Sequence, residues 1–482
     1  MPNPVLIIHG WSDNYESFKP LKVWFNANGY TAEEVLLGNY ESMEDHVTFD
    51  DLSVGFQVQL EALIAAHRLP PLRPFSLDVV VHSTGGPVFR HWLDYYLNGI
   101  CHGDRAKNPV RSVIMLAPAN FGSRLAAQGK SALAMLFKGG VSHGFQTGRR
   151  ILEGLELGSP VLWAMAEQDL FCDASVYPTD PAHGPFVFIL SGTATYGELK
   201  GLVAKGANEN GSDGTIRAAA AALNSIKLNL DFTNPADPAV AVKLQQNEPF
   251  AFRLVPGKNH STVVPRDPAD VGHPTFALIK QCLAVQDLAQ YRQLRQTFEA
   301  ANDAFYTAQQ AATNDDPVHA YQQFVFRVRD ESGTEVTDYR VAFHVIDATI
   351  TQSAWSDDAT LAGLQCYQNY TTILQEEVVV DVQPHSVNPS YRTFFVNLNR
   401  LEDLRAVLGQ NAPGAFIAMN LDATGPTPDL TYNTDTLKYL PVEVPFPTDG
   451  AGAHVTFFRH NTTTLVDIRI SRVPSTRIFS FL

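Results

Sequence analysis

Asp78-Val79-Val80-Val81-His82-Ser83-Thr84-Gly85-Gly86-Pro87-Val88-Phe89-Arg90 decides the fold. The β-branched run Val79-Val80-Val81 reads as a short buried strand. His82-Ser83-Thr84-Gly85-Gly86 then turns the chain. From Val88 to Leu97 the apolar residues recur at helical spacing. A strand, a sharp turn and a helix with one Ser at the apex lift a hydroxyl above the strand's end. The same turn aims the next backbone N–H groups at a reacting oxygen. Gly85 and Gly86 let strand and helix approach closely. Val81 stands two residues before the Ser, where Gly is usual, and its branched side chain is expected to crowd the corner. The competing reading, an ordinary strand-end serine, has against it the strand and the helix that flank the motif.

Those flanking elements matter because a second string matches the same pattern. Gly140-Val141-Ser142-His143-Gly144 has the G-x-S-x-G spacing, yet no apolar strand precedes it and no periodic helix follows closely. Ser142 is therefore read as a loop residue. The strand-turn-helix around Ser83 is the nucleophile elbow of an α/β-hydrolase.

Working outward, Pro4-Val5-Leu6-Ile7-Ile8-His9-Gly10-Trp11 opens the chain as a buried strand running into a His-Gly turn. In such a fold the residue after that turn supplies a second backbone donor to an oxyanion. The expected donors are the N–H groups of Trp11 and Thr84, each worth ~3 kcal/mol to an acyl-transfer transition state. His9 is read as a hydrogen-bonded scaffold residue. Helices are expected over Ser17 to Gly29 and Phe49 to His67, a short strand over Glu34 to Leu37, and a further buried strand over Val110 to Pro118. Strands alternating with helices imply a mostly parallel, doubly covered sheet, with its site at the strands' carboxyl ends.

His82-Ser83-Thr84-Gly85-Gly86-Pro87 resembles the His-Ser-x-Gly-Gly-Pro run of the bacterial lipases related to the Pseudomonas and Burkholderia enzymes. Ala117-Pro118-Ala119-Asn120-Phe121-Gly122-Ser123 resembles the Pro-x-x-Gly-Ser that closes their next strand. The resemblance covers about the first 280 residues through four short motifs. It implies an α/β-hydrolase fold, a Ser-Asp-His triad and acyl-ester substrates.

Between that strand and the next lies a helical insertion, roughly residues 124–170, where these lipases carry a lid. Its apolar residues, Leu125, Leu133, Met135, Leu136, Phe137, Ile151, Leu152, Leu155 and Trp163 among them, suit the inner face of a lid hinged at Gly139-Gly140, or equally a fixed cap packed on the core. Phe186 to Gly192 is the next strand, and the acid of a triad usually follows it. Asp213, in Asn208-Glu209-Asn210-Gly211-Ser212-Asp213-Gly214-Thr215-Ile216-Arg217, is expected to orient the catalytic imidazole; its alternative role is a helix N-cap. Asp169, Asp173 and Asp180 precede the strand and are set aside. The run from Ala251 to Thr262 gives a last strand and then His260 on a loop, which completes the order Ser, Asp, His as general base and acid. Those lipases often bind calcium through an Asp two residues after this His. Here Thr262 stands there, and the calcium site is not carried over.

Thr275 to Leu283 closes the hydrolase domain, expected over residues 1–285. Leu288, Tyr291, Leu294, Phe298, Ala301 and Phe305 give a linking helix over residues 286–317. From Val318 the pattern alternates: Phe324 to Arg329 and Tyr339 to Val345 read as a hairpin, and about five further strands follow, with a helix over Arg400 to Leu408. Residues 318–482 are expected to form an all-β, sandwich-like domain.

The 482 residues are 45% hydrophobic, enough for two domains with ample cores. A net charge of −15 argues against nucleic acid and against a basic membrane anchor. Cys101, Cys172, Cys282 and Cys366 lie far apart and imply no disulfide framework or metal site; one bridge is compatible with them. With neither a membrane-spanning run nor a cleaved leader in the pattern, the expected location is the cytoplasm, or export by a route without such a leader. The expected activity is that of a serine carboxylic-ester hydrolase needing no cofactor or metal, with a lipid or other acyl ester as substrate and possible lipid-surface contact through the cap. Phospholipase, acyltransferase and polyester depolymerase share the same triad. A non-catalytic hydrolase scaffold that binds through its β domain is the alternative from another class.

Overall fold

The computed structural model describes residues 2–479 apart from 12, 129–147, 174, 178–183, 197–207, 235, 246–247, 271, 313–316, 348–367, 413, 444–445 and 448–453. Gly139, Gly140 and Ser142 lie outside these residues, and so do the hinge and the loop serine expected there. In chain order the elements are β1 (Val5–Ile8), α1 (Lys19–Ala27), β2 (Val35–Gly38), α2 (Phe49–Ala65), β3 (Leu77–His82), α3 (Gly85–Asp94), β4 (Val110–Leu116), α4 (Arg149–Leu155), α5 (Pro160–Asp169), β5 (Phe186–Gly192), β6 (Ser225–Phe232), β7 (Ala239–Leu244), β8 (Ala251–Val255), α6 (Pro274–Leu283), α7 (Leu288–Ala311), β9 (Tyr321–Asp330), β10 (Tyr339–Asp347), β11 (Val379–Pro384), β12 (Tyr391–Asn397), α8 (Leu398–Asn411), β13 (Ala415–Ala423), β14 (Leu430–Asn433), β15 (Leu440–Pro441), β16 (Phe446–Pro447), β17 (His454–Val455) and β18 (Thr462–Pro474). None of the described helices is long and apolar enough to cross a membrane.

The chain divides into two compact units, one of residues 1–224 and 245–318, the other of residues 225–244 and 319–482. The first holds a six-stranded sheet in the order β2-β1-β3-β4-β5-β8, with every neighbouring pair parallel. Strands β3 and β5 are buried along their whole length, as continuous apolar runs in a sheet covered on both faces must be. The order reverses direction beside β1 and β3. Such a reversal opens a crevice at the carboxyl ends of the strands, where both the His-Gly turn and Ser83 fall. Helix α2 begins with a capping box: Thr48 Oγ1 accepts the Asp51 N–H and the Asp51 carboxylate accepts the Thr48 N–H.

The described second half of the insertion is part of this core. Ile151, Leu152, Leu155, Leu162, Trp163 and Met165 are buried. Asp169 at the end of α5 forms a bidentate pair with Arg90 of α3, at 2.7 and 3.0 Å, with both side chains fully buried. The third arm of Arg90 donates to the Asn120 carbonyl at 2.7 Å. Burial is the main force raising the Asp169 pKa, and Arg90 opposes it. A pair this enclosed ties α5 to the elbow helix, because removing one partner would strand a charge in the core.

The second unit differs from the expectation in two ways. The hairpin β6–β7, expected inside the hydrolase domain, belongs to this unit: β6 pairs with β18 in parallel from Ser225↔Thr463 to Phe232↔Ile470. The helix α7, expected as a separate link, groups with the first unit. The larger sheet of the second unit is mixed, in the order β11-β12-β9-β18-β6-β7 with β14 also on β18. Strand β18 runs parallel to both β9 and β6. A three-stranded sheet β10-β13-β15 and the helix α8 share its core, where Phe324, Phe326, Phe343, Phe394 and Phe457 meet. Mixed and antiparallel sheets thus fit the expected C-terminal β domain, and α8 covers the helix expected over Arg400 to Leu408.

Candidate active site

Ser83 sits at φ 55°, in the left-handed region that a non-glycine residue seldom adopts. Its N–H donates to the Leu116 carbonyl at 3.1 Å, and its own carbonyl accepts from Gly86 at 3.0 Å and Ala119 at 3.1 Å. These bonds hold the turn against its strain. Val81 is fully buried in β3, and the corner beside Ser83 is closely packed at two glycines. A Cβ on Gly10 would lie 2.7 Å from the Ser83 Cβ, and one on Gly85 would lie 2.9 Å from the Ile8 carbonyl oxygen. Both positions accept only hydrogen.

The three residues expected to act together are brought together. Ser83 Oγ is 3.0 Å from His260 Nε2, and His260 Nδ1 is 2.9 Å from Asp213 Oδ2. Both His260 and Asp213 are fully buried, and Ser83 is 9% exposed. The other Asp213 oxygen, Oδ1, accepts the N–H groups of Thr215 at 2.9 Å and Ile216 at 2.7 Å. The His260 N–H donates to the Asp213 carbonyl at 2.8 Å. Asp213 is not a helix N-cap: the short helix Ala218–Ala221 is preceded by Arg217 in that position. Of the set-aside acids, Asp169 is the partner of Arg90 in the core.

Sequence reasoning missed the groups around this trio. His82 Nε2–H donates to the His260 carbonyl at 3.0 Å, and its ring is tilted over the His260 ring at 4.7 Å. Burial first, and then charge interactions with His260 and Arg266, hold the His82 pKa well below the ordinary histidine value, so this ring is neutral. Tyr196 Oη lies 3.1 Å from Ser261 Oγ and 3.4 Å from Thr215 Oγ1, bridging the loop of the base to that of the acid. Burial pushes its pKa up to about 12. Glu209 binds Arg217 through both carboxylate oxygens, at 2.9 and 2.8 Å, and Arg124 at 3.2 Å. That clamp closes the loop carrying Asp213. Only the hydrogen-bonding residue types in the Glu209–Arg217 run and after His260 hinted at any of this.

His9 is a scaffold residue in the geometry. Its Nδ1–H donates to the Gly10 carbonyl at 2.7 Å, its Nε2 accepts the Tyr40 N–H at 3.3 Å, and its ring stacks on Tyr40. Of the two expected oxyanion donors, the Thr84 N–H has no partner among the described residues. The Trp11 N–H does have one: it donates to Thr84 Oγ1 at 3.2 Å.

The parallel sheet with its flanking helices has the α/β-hydrolase fold. Residues 2–140 match the family model described as Lipase (class 2). No curated protein sequence matches the chain. Among solved structures, phospholipase PlaB from Legionella pneumophila is similar over 99% of this chain and 96% of its own, at 25% identity and a TM-score of 0.78. The same protein in complex with thio-NAD gives 24% identity, the same coverage and a TM-score of 0.77. The mature form of the Bacillus licheniformis lipase BlEst2 shares 16% identity over 59% of this chain and 93% of its own, with a TM-score of 0.38. The family match and the full-length likeness support a hydrolase of the lipase and esterase kind.

Proposed function

We propose that the protein is a serine carboxylic-ester hydrolase working through an acyl-enzyme. One observation carries the reading: a serine on a strained elbow, 3.0 Å from an imidazole whose far nitrogen lies 2.9 Å from a buried carboxylate. Ser83 Oγ attacks the ester carbonyl while His260 Nε2 takes its proton, and His260 then gives that proton to the leaving alcohol. Water repeats the sequence and frees the acid. Asp213 fixes the imidazole with its proton on Nδ1, leaving Nε2 as a base, and stabilises the imidazolium that forms. Donors beside the elbow, the Thr84 N–H among them, hold the oxyanion.

Phospholipid is the ester to try first, because the likeness to the Legionella pneumophila phospholipase runs over nearly the whole chain. The test is labelling by a fluorophosphonate, followed by hydrolysis rates on soluble p-nitrophenyl esters, triacylglycerol emulsions and phospholipid vesicles. Labelling should occur in the wild type and vanish in Ser83→Ala. A wild type that takes no label and cleaves none of these substrates would leave a hydrolase scaffold used for binding. Contact with a lipid surface through the insertion belongs to the same proposal. It requires the rate per enzyme to rise when one substrate passes from monomers to vesicles.

A further inference from the structure

Thr84 follows Ser83 and occupies the N-cap of α3. A threonine hydroxyl there ordinarily accepts an N–H from the first helical turn. This one does not. Its backbone is in the right-handed helical region, at φ −57° and ψ −26°, and its side chain makes no capping bond. Instead Oγ1 accepts the backbone N–H of Trp11, 73 positions away in sequence. Thr84 is 1% exposed, and no acceptor for its hydroxyl proton lies among the described residues. A buried donor without an acceptor costs about 1–3 kcal/mol. The arrangement gives up a helix cap and leaves a proton without a partner, beside the nucleophile.

We propose that the Thr84 hydroxyl is a catalytic residue, a donor to the oxyanion that also relays the Trp11 N–H. This rests on the ester-hydrolase reading of Ser83. By accepting the Trp11 N–H, Oγ1 becomes a better donor through its own O–H. A hydroxyl turns its proton without moving its heavy atom. As Ser83 Oγ bonds to the carbonyl carbon, the C=O π pair moves onto oxygen. That oxygen is held by the Thr84 O–H and the Thr84 N–H, while the Ser83 proton goes to His260 Nε2. Thr84 keeps its proton throughout. The Trp11 N–H thus acts through the hydroxyl, not on the oxyanion directly.

Thr84→Val keeps the shape and removes the donor; Thr84→Ser keeps the donor. Each is assayed for kcat and KM on a soluble ester and for the Ki of a trifluoromethyl ketone, which forms a tetrahedral adduct with the serine. Thr84→Val should lose about 10²- to 10³-fold in kcat at nearly constant KM, with Ki weakened in proportion, and Thr84→Ser should stay within about fivefold of wild type. A Thr84→Val enzyme as fast as wild type, or faster, overturns the proposal: the oxygen would then merely block the Trp11 N–H. If the Val variant does not fold, Thr84→Ala replaces it, and equal rates for Ser and Ala overturn the proposal in the same way. Fluorophosphonate labelling separates the two readings. A wild type that is not labelled sinks the reading of Ser83, whereas labelled variants with unchanged kcat sink only the role of Thr84.

Discussion

Asp213→Asn should disable the protein by reversing a tautomer, and the geometry dictates which way the amide must face. In the native site Asp213 Oδ1 accepts two backbone N–H groups, from Thr215 at 2.9 Å and Ile216 at 2.7 Å. An asparagine must put its carbonyl oxygen there, because an NH₂ facing two N–H donors would leave all of them buried without acceptors, at about 1–3 kcal/mol each. Its NH₂ then takes the place of Oδ2 and points at His260 Nδ1, 2.9 Å away. Two donors cannot face one another, so Nδ1 must give up its proton and the imidazole must carry it on Nε2. That nitrogen now donates to Ser83 Oγ and is no longer a base. The expected loss is ~10⁴-fold in kcat, or about 5.4 kcal/mol of transition-state stabilisation. Steady-state hydrolysis of a p-nitrophenyl ester measures it, with the melting temperature as a control for folding. A variant that folds and turns over within tenfold of wild type would refute the assignment of Asp213 and the tautomer argument together.

Gly10→Ala places a Cβ 2.7 Å from the Ser83 Cβ and 3.2 Å from its Oγ; we expect about 1–3 kcal/mol of destabilisation and roughly a 10²-fold fall in kcat from the displaced hydroxyl. Melting curves and kinetics read both, and an unchanged kcat would show that the elbow has slack. Stability should fall below neutral pH: burial lowers the pKa of His9 and of His82, so both stay neutral when folded, while the unfolded chain takes up protons near pH 6.5. The stability is complete above that pH and lost as pH falls below it, at up to about 1.4 kcal/mol per pH unit for each histidine, and a melting temperature that is flat or rises from pH 7.5 to 5.5 contradicts this. Cutting the chain after residue 316 should yield an aggregating product, because β6 and β7 would lose the strand β18 and expose Ile226, Leu228, Leu230, Phe232 and Val242, worth roughly 1.5–3 kcal/mol each when buried. Replacing residues 225–244 by a short linker in the same product should restore solubility and ester turnover, and failure of that second variant would show that the hydrolase unit does not fold alone.

The parallel sheet was legible because its strands are short continuous apolar runs between amphipathic helices, and a chain that alternates in this way has few other ways to bury both faces. Helical periodicity gives way to alternation near Val318, where the chain passes into the second unit, but nothing in the pattern assigned the hairpin Ser225–Leu244 to that unit. Its β6 buries alternate residues, Ile226, Leu228, Leu230 and Phe232, as any half-buried strand does. A period of two says that a strand has a covered face but not which sheet covers it. The partner, β18, lies more than 200 residues further on, and parallel pairing leaves no turn signature between the two. The same limit hides the mixed pairing of β9, antiparallel to β12 and parallel to β18.

The candidate site divides along a similar line. Ser83, Asp213 and His260 could be picked out because each lies in a connection that follows a strand of the parallel sheet, in the order Ser, Asp, His. Their supports could not, since each depends on a side chain reaching across layers. Gly10 illustrates the point: it leaves room for the Ser83 side chain, and its only sequence signal was a His-Gly pair. Thr84 illustrates the converse. Its place after the nucleophile nominated its backbone N–H, and nothing in the pattern nominated its hydroxyl. The hydroxyl becomes visible only when the Trp11 N–H is found donating to it and the first turn of α3 is found without a cap. A sequence orders the backbone groups that a turn must present. Which side-chain proton is left without an acceptor beside them is a property of packing, and that unspent donor is where the chemistry of this site has most to add.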